Sequence, residues 1–207
     1  MASIAQTQKK PSRIQQRNRL RILDAALDVF SRNGYRGATL DQIAEQSGLS
    51  KPNILYYFDG KEDIHVTLLN QLMESWLEPL EQLDPNGEPL DEILGYVSRK
   101  VEMTREFPRE GRLFANEILQ GAPRMGPHLE SGLKPLFDEK CALIQRWMDD
   151  GKLSPSDPRH LIFSIWSTTQ HYADFDAQVR VLMAPEKGVL DGAGVFLITM
   201  FRKLLTP

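Results

Sequence analysis

Between residues 39 and 63 the chain gathers a threonine, two lysines, an asparagine and two adjacent tyrosines around a Gly-Leu-Ser turn. These are groups for recognition rather than for bond-making. Lysine neutralises a phosphate, asparagine sets a donor and an acceptor side by side against an adenine edge, and a tyrosine hydroxyl donates to a phosphate oxygen while its ring rests on the sugar. Lys51, Asn53, Tyr56 and Tyr57 are spaced so that all four are available to the outside of one short helix. Taken alone, the same residues also describe a helical hairpin whose tyrosines half-bury at an interface.

The elements that must position these groups follow from spacing. Leu40, Ile43, Ala44 and Ser47 repeat at helical intervals behind Thr39, a capping residue type, and Gly48 supplies the left-handed backbone that ends a helix. Leu49 then tucks inward and Ser50 caps a second helix. Pro52 is tolerated in its first turn, where amide donors have no intrahelical partner. On that helix Ile54, Leu55 and Phe58 are expected to pack back on the first. Upstream, Leu20, Leu23, Leu27 and Phe30 predict a supporting helix from about Arg17 to Asn33, with Gly34 as its stop and Tyr35 to Ala38 as a loop.

As a whole string, residues 39 to 63 closely resemble the DNA-binding domain of the TetR family of one-component repressors. Thr39, Gly48-Leu49-Ser50, Tyr56-Tyr57-Phe58 and Lys61-Glu62 occupy its motif places. The resemblance implies an all-α, TetR-like fold: an N-terminal three-helix helix-turn-helix domain and a larger helical domain for ligand binding and dimerisation. It implies that the Ser50–Phe58 helix enters the major groove and that Thr39, Tyr56, Tyr57 and Lys61 hold phosphates. Lys51 and Asn53 are the expected base contacts, with Pro52 against a thymine methyl. The expected domains are a basic flexible arm over residues 1–16, the helix-turn-helix over 17–62 and the body over 63–207.

Composition is consistent with this division. The net charge of −3 argues against a nucleic-acid binder until it is split: residues 1–65 sum to +3 and the remainder to −6. Lys9, Lys10, Arg13, Arg17, Arg19 and Arg21 all precede the first acidic residue, Asp24, so the arm is either a phosphate or minor-groove contact or a solvated leader. The most apolar stretch near the end, Val195 to Phe201, is interrupted by Thr199 and falls far short of the roughly 18 residues a membrane span needs. With a lone Cys141 and no apolar leader, a reducing cytoplasm is the expected location.

Further helices are expected from Lys61 to about Leu83, over Leu90 to Val101, around Gly111 to Leu119, and over Leu129 to Met148 with Pro135 bending or dividing it. Asp157-Pro158 opens one that runs through Phe175 to about Leu182, and Val189 to Leu205 forms the last. Ala193 and Gly194 in this last helix suggest a close helix contact, and the resemblance implies a homodimer through the last two helices that reads a palindromic double-stranded operator.

From Asp138 onward, and at Trp76-Leu77-Glu78-Pro79-Leu80 and Glu117 to Pro123, the sequence resembles a narrower group within that family, the Rut-type pyrimidine-utilisation repressors, which respond to uracil. Trp166, Gln170 and Ala173 or Asp174 share one helical face, so an aromatic surface and an amide converge. Stacking on tryptophan and paired bonds to glutamine suit a planar imide; His171 or Tyr172 would meet the remaining carbonyl, with Trp76, Phe114, Asn116 and Glu117 coming from other helices. The plainer reading is a packed core stripe with Gln170 bridging helices. A polar Asn116 keeps purines and other nucleobases open as the effector.

No catalytic, cofactor or metal-ligand constellation is apparent. His171 and Asp174 are the nearest to a proton-transfer pair, and such a pair on one helix is more often a satisfied core histidine. A helical protein-binding adaptor is the other rival, one that would ignore duplex DNA.

Overall fold

The computed structural model describes residues 12–183 and 188–207, and among these every regular element is helical. The chain divides into two compact units, Met1–Leu68 and Leu69–Pro207.

In the first unit, α1 (Arg13–Gly37) opens with a reciprocal cap. The Ser12 hydroxyl accepts from the Gln15 backbone N–H at 3.2 Å, and the Gln15 side-chain oxygen accepts from the Ser12 N–H at 2.8 Å. This start corrects the expected boundary at Arg17: residues 13–16 form the first turn of α1 and are not part of a flexible arm. Lys9 and Lys10 of that arm lie outside the described residues. Gly34 interrupts the helix with φ 64° and ψ 174°, a conformation essentially confined to glycine, and Tyr35–Gly37 add a further helical turn where a loop was expected.

The helices α2 (Leu40–Ser47) and α3 (Lys51–Tyr57) flank Gly48, which is left-handed at φ 60° and donates its N–H to the carbonyls of Ala44 and Glu45. Ile22, Leu23, Ala26, Phe30, Ile43, Ile54, Phe58 and Ile64 are buried. Two expected core residues are not: Leu20 is 65% exposed and Leu55 47% exposed. Helical spacing alone does not show how wide a face a neighbouring helix covers, and these two lie beyond the covered part.

Lys61, the first residue of α4 (Lys61–Glu81), closes the unit. Its ammonium donates to the carbonyls of Tyr35 and Ala38, each at 2.8 Å, and lies 4.4 Å from the centre of the Tyr35 ring. Those carbonyls follow the kink at Gly34, so one cation satisfies backbone groups that the interrupted helix leaves open. His65, one turn on, meets Phe30 and Tyr35 edge-on at 4.8 and 4.9 Å.

The second unit is built from α5 (Pro89–Glu106), α6 (Pro108–Leu119), α7 (Gly126–His128), α8 (Lys134–Asp149), α9 (Pro158–Asp174), α10 (Asp176–Met183) and α11 (Val189–Leu205), with the later turns of α4. A wide π-type turn over Leu129–Leu133 precedes α8, dividing the segment near Pro135. Pro79 is buried inside α4. The helices α5, α9 and α11 pack on one another around Val97, Val101, Ile162, Ile165, Leu197 and Phe201. The single helix expected from Pro158 to Leu182 is in fact two, broken at Phe175, where the backbone leaves helical geometry (φ −110°, ψ 28°) without glycine or proline. An ion pair between Asp176 and Arg180, one turn apart, supports the new start.

Ala193 and Gly194 also face differently from expectation. Ala193 is buried in its own unit, and a Cβ added at Gly194 would lie 3.5 Å from Val101, so these small residues let α11 approach α5. The outward face of α11 instead carries Val195, Phe196 and Leu204, with Phe196 62% exposed.

Replacing Lys61 with Met keeps the apolar stem and leaves two half-buried carbonyls unsatisfied, which costs about 2 kcal/mol. Denaturant unfolding should show this loss, and amide exchange should place it in α1 and α2; an unchanged midpoint would refute the brace.

Candidate functional site

Two surfaces gather the residues singled out from sequence. On the first, α3 presents Pro52, Asn53 and Tyr56 to solvent. Ser50 is committed to the helix end, its hydroxyl accepting from the Asn53 N–H at 3.4 Å. Lys51 holds Asp41 at 3.1 Å, but both side chains are well exposed, and such a pair is worth only about 0–1 kcal/mol and yields readily to a stronger anion. Tyr56 is 69% exposed, and its hydroxyl lies 3.1 Å from the Gln15 amide nitrogen. The Asn18 amide nitrogen stands in the same relation to Tyr57 at 3.2 Å, and the two tyrosine rings meet edge-on at 5.0 Å. Arg19 covers the Phe58 ring at 4.3 Å and donates to the Tyr57 carbonyl.

Two of the residues expected to hold phosphate are otherwise engaged. The Thr39 hydroxyl donates to the Gln42 side-chain oxygen at 3.1 Å and accepts from the Gln42 N–H at 3.2 Å, so its one proton is used in capping α2. Gln42 is exposed, and its amide nitrogen has no partner among the described residues. Lys61 spends two of its three N–H groups on the carbonyls of Tyr35 and Ala38. Both act here in positioning the helices. Gln15, Asn18 and Gln42 were missed from sequence, and Arg19 was read only as part of the basic arm, because a polar residue on a helix shows its partner only once the helices are placed.

The second surface is a recess in the body, lined largely by half-buried side chains. A cavity of about 60 Å³ is lined by Trp76, Tyr96, Lys100, Phe114, Trp166 and Gln170 together with Met73, Leu77, Leu80 and Leu133. Trp76 meets Phe114 edge-on at 5.1 Å, and the Trp166 indole N–H donates to the Tyr96 hydroxyl at 2.6 Å. The Trp76 indole nitrogen is buried with no hydrogen-bond partner among the described residues. The Lys100 ammonium lies 5.0 Å from the Trp76 ring centre, in a side chain that is almost wholly buried. Burial pushes its pKa down to about 8, against the opposing pull of the Asp174 charge. Burial likewise pushes Asp174 up to about 6, against Arg112, His171 and Lys100. It holds the Tyr96 phenol well above the usual tyrosine range, against the bond from Trp166.

The structure thus brings Trp76, Phe114, Trp166 and Gln170 together and sets other expected lining residues apart. Asn116 turns its amide onto the Arg112 carbonyl of its own helix at 2.8 Å. Glu117 is buried but accepts from the Arg124 backbone N–H at 2.7 Å and its guanidinium at 3.3 Å, which ties the loop after α6. His171 is exposed and stacks on Phe175 at 4.9 Å. Tyr172 lines a different, larger hollow of about 740 Å³ with Arg105, Asp176 and Arg180, whose charged walls are already paired with one another or with Asp191. Asp174 reaches the cavity through its charge on Lys100.

Lys100 had a sequence signal. It falls on the apolar stripe of α5 with Ile93, Val97, Val101 and Thr104, a position where a cation is out of place. Among the described residues there is no cluster of three or more His, Cys, Asp or Glu able to hold a metal, and no helix long and apolar enough to cross a membrane.

Comparison with known proteins covers both units. Residues 22–66 match the family described as bacterial regulatory proteins, tetR family, and residues 69–205 match the YcdC-like protein, C-terminal region. The chain is similar to the HTH-type transcriptional regulator RutR of Escherichia coli strain K12, 47% identical over 176 residues, which are 85% of this chain and 83% of that one. Its fold is similar to that of a transcriptional regulator, SCO4942 of Streptomyces coelicolor, with TM-score 0.66 and 25% identity over 92% of this chain and 99% of that one. The same fold is seen in AibR, solved with isovaleryl coenzyme A and operator DNA, with TM-score 0.70 and 16% identity over 88% and 97% of the two chains. With matches spanning the helix-turn-helix unit and the helical body alike, the chain belongs to the TetR family of transcriptional regulators.

Proposed function

We propose that the protein is a homodimeric repressor that binds a palindromic operator through α3 and is released by a small planar nucleobase, uracil or a close relative. The observation that carries the ligand reading is the cavity's donor set. A buried indole N–H without a hydrogen-bond partner, the Lys100 ammonium near the same ring and the Gln170 amide meet in a cavity lined by four aromatic side chains. Each buried donor left unsatisfied costs about 1–3 kcal/mol, so a fold that keeps them is arranged for an acceptor-bearing guest. Carbonyl oxygens on a flat ring satisfy both demands, since the ring stacks while the oxygens accept. Size argues the same way: at about 60 Å³ the cavity is far below the roughly 300–1,000 Å³ of sites for larger ligands, so it disfavours an acyl chain or a steroid. The sequence resemblance to the Rut-type pyrimidine-utilisation repressors adds the pyrimidine direction.

For the duplex, the supporting features are the exposed Pro52, Asn53 and Tyr56 on α3, the easily freed Lys51, and the half-exposed Tyr57 beside them. Reading a palindrome needs two heads, and the outward Val195, Phe196 and Leu204 of α11 offer the apolar face for a second copy. Because α4 carries both Lys61 and Trp76, occupancy of the cavity and the seating of the first unit share one helix. Ligand then acts by favouring the body conformation in which the heads do not match the groove.

Calorimetric titration should give binding of uracil, with thymine and xanthine as comparisons, and Gln170→Leu should weaken it by roughly tenfold or more. In a mobility-shift assay uracil should release the operator; binding without release refutes the switch, and silence with every nucleobase refutes the ligand class. Phe196→Asp should yield a monomer in sedimentation and a large loss of duplex affinity, whereas a dimer of native affinity would move the interface elsewhere.

The buried cation makes a further prediction. Lys100 has a lower pKa folded, about 8, than its ordinary 10.5, so at neutral pH the native state bears the full cost of charging it. Lys100→Met should therefore stabilise the unliganded protein by about 1–3 kcal/mol and abolish the response to uracil. Its advantage should shrink as pH rises from about 8 to 10.5, because the wild type regains stability across that window; a pH-independent difference would contradict this.

A further inference from the structure

Gln15 is held at both ends of its amide. The side-chain carbonyl accepts the Ser12 backbone N–H at 2.8 Å, completing the cap of α1, and the amide nitrogen lies 3.1 Å from the Tyr56 hydroxyl oxygen. A backbone N–H can only donate, so the group facing Ser12 must be the carbonyl oxygen, and the NH₂ must face Tyr56. An NH₂ group can only donate as well. The phenol oxygen of Tyr56 therefore accepts, and its single proton is left for a partner on the other side, where the residue is 69% exposed.

We infer that Gln15 is a positioning residue for duplex recognition: it fixes the polarity of the Tyr56 hydroxyl so that it meets a phosphate oxygen as a donor. This rests on the reading of the α3 surface as the DNA-binding face. Capping alone does not explain a glutamine at this place, because glutamate completes the same reciprocal cap. The difference lies at Tyr56. A carboxylate would accept from Ser12 with one oxygen and take the Tyr56 proton with the other, turning the phenol's lone pairs, instead of its proton, toward an approaching phosphate.

The test is a double-mutant cycle on the full chain with Gln15→Glu and Tyr56→Phe. The probe is a fluorescent duplex recovered by selecting the wild-type protein against a random-sequence pool, with anisotropy read at one salt concentration. Thermal unfolding of Gln15→Glu should match the wild type or lie slightly above it, since the cap is retained. Tyr56→Phe should weaken binding by roughly tenfold, the value of one hydrogen bond to a charged acceptor. Gln15→Glu should also weaken it, partly because its added negative charge repels the phosphates in either background. The inference concerns the remainder: in the Tyr56→Phe background the Gln15→Glu penalty should shrink by roughly tenfold. Equal penalties in the two backgrounds overturn the inference and leave the Tyr56 contact standing. If Tyr56→Phe binds as well as the wild type, the contact itself is absent and the inference falls with it.

Discussion

A lysine sealed among aromatic rings sets the terms for the body of this protein. The Lys100 side chain has lost most of its water, and among the described residues its ammonium meets the face of Trp76 and feels the charge of Asp174 in return. A side chain in that condition tends to unfold its surroundings or to lose its proton, so keeping it draws on the stability of the apolar core that α5, α9 and α11 share. The well-packed core and the incompletely satisfied cavity are therefore linked: the first supplies the stability that the second consumes. Among the aromatic neighbours, Trp166 is already bonded to Tyr96, whereas Trp76 is not bonded, so the site's open demand is concentrated on the Trp76 and Lys100 side.

In the first unit the same logic operates with backbone groups. The kink at Gly34 leaves carbonyls exposed that the Lys61 ammonium gathers, and the reciprocal caps at Ser12–Gln15 and Thr39–Gln42 seat α1 and α2. Each device uses a residue that, read as a string, looks free for an outside partner. This is why a family motif marks a place reliably while leaving open whether its residue touches the ligand or holds the neighbour that does.

Much of the fold was legible in advance. The caps at Thr39 and Ser50, the left-handed Gly48, the division near Pro135 and the limits of α11 all follow from residue types whose backbone preferences are strong. The break at Phe175 was not legible, since no glycine or proline marks it. Leu20 and Leu55 were misplaced because periodicity gives the direction of a face but not how much of it a neighbour covers. Ala193 and Gly194 announced a close approach without saying which helix approaches. Of the cavity, Trp166 and Gln170 were found from spacing and Trp76 and Phe114 were named as candidates from other helices, whereas Tyr96 was passed over, as was Lys100 although it stands on an apolar stripe.

Pro79 lies in α4 between Leu77 and Leu80, two residues of the cavity wall. It has no N–H to give the Ser75 carbonyl, so the ladder of the helix lacks a rung just where its side chains meet the enclosed space. A rod with a missing rung bends most easily at that level. If the cavity takes the guest proposed for it, a molecule wedged against Trp76 and Leu80 would press on α4 where the missing rung makes the helix easier to bend.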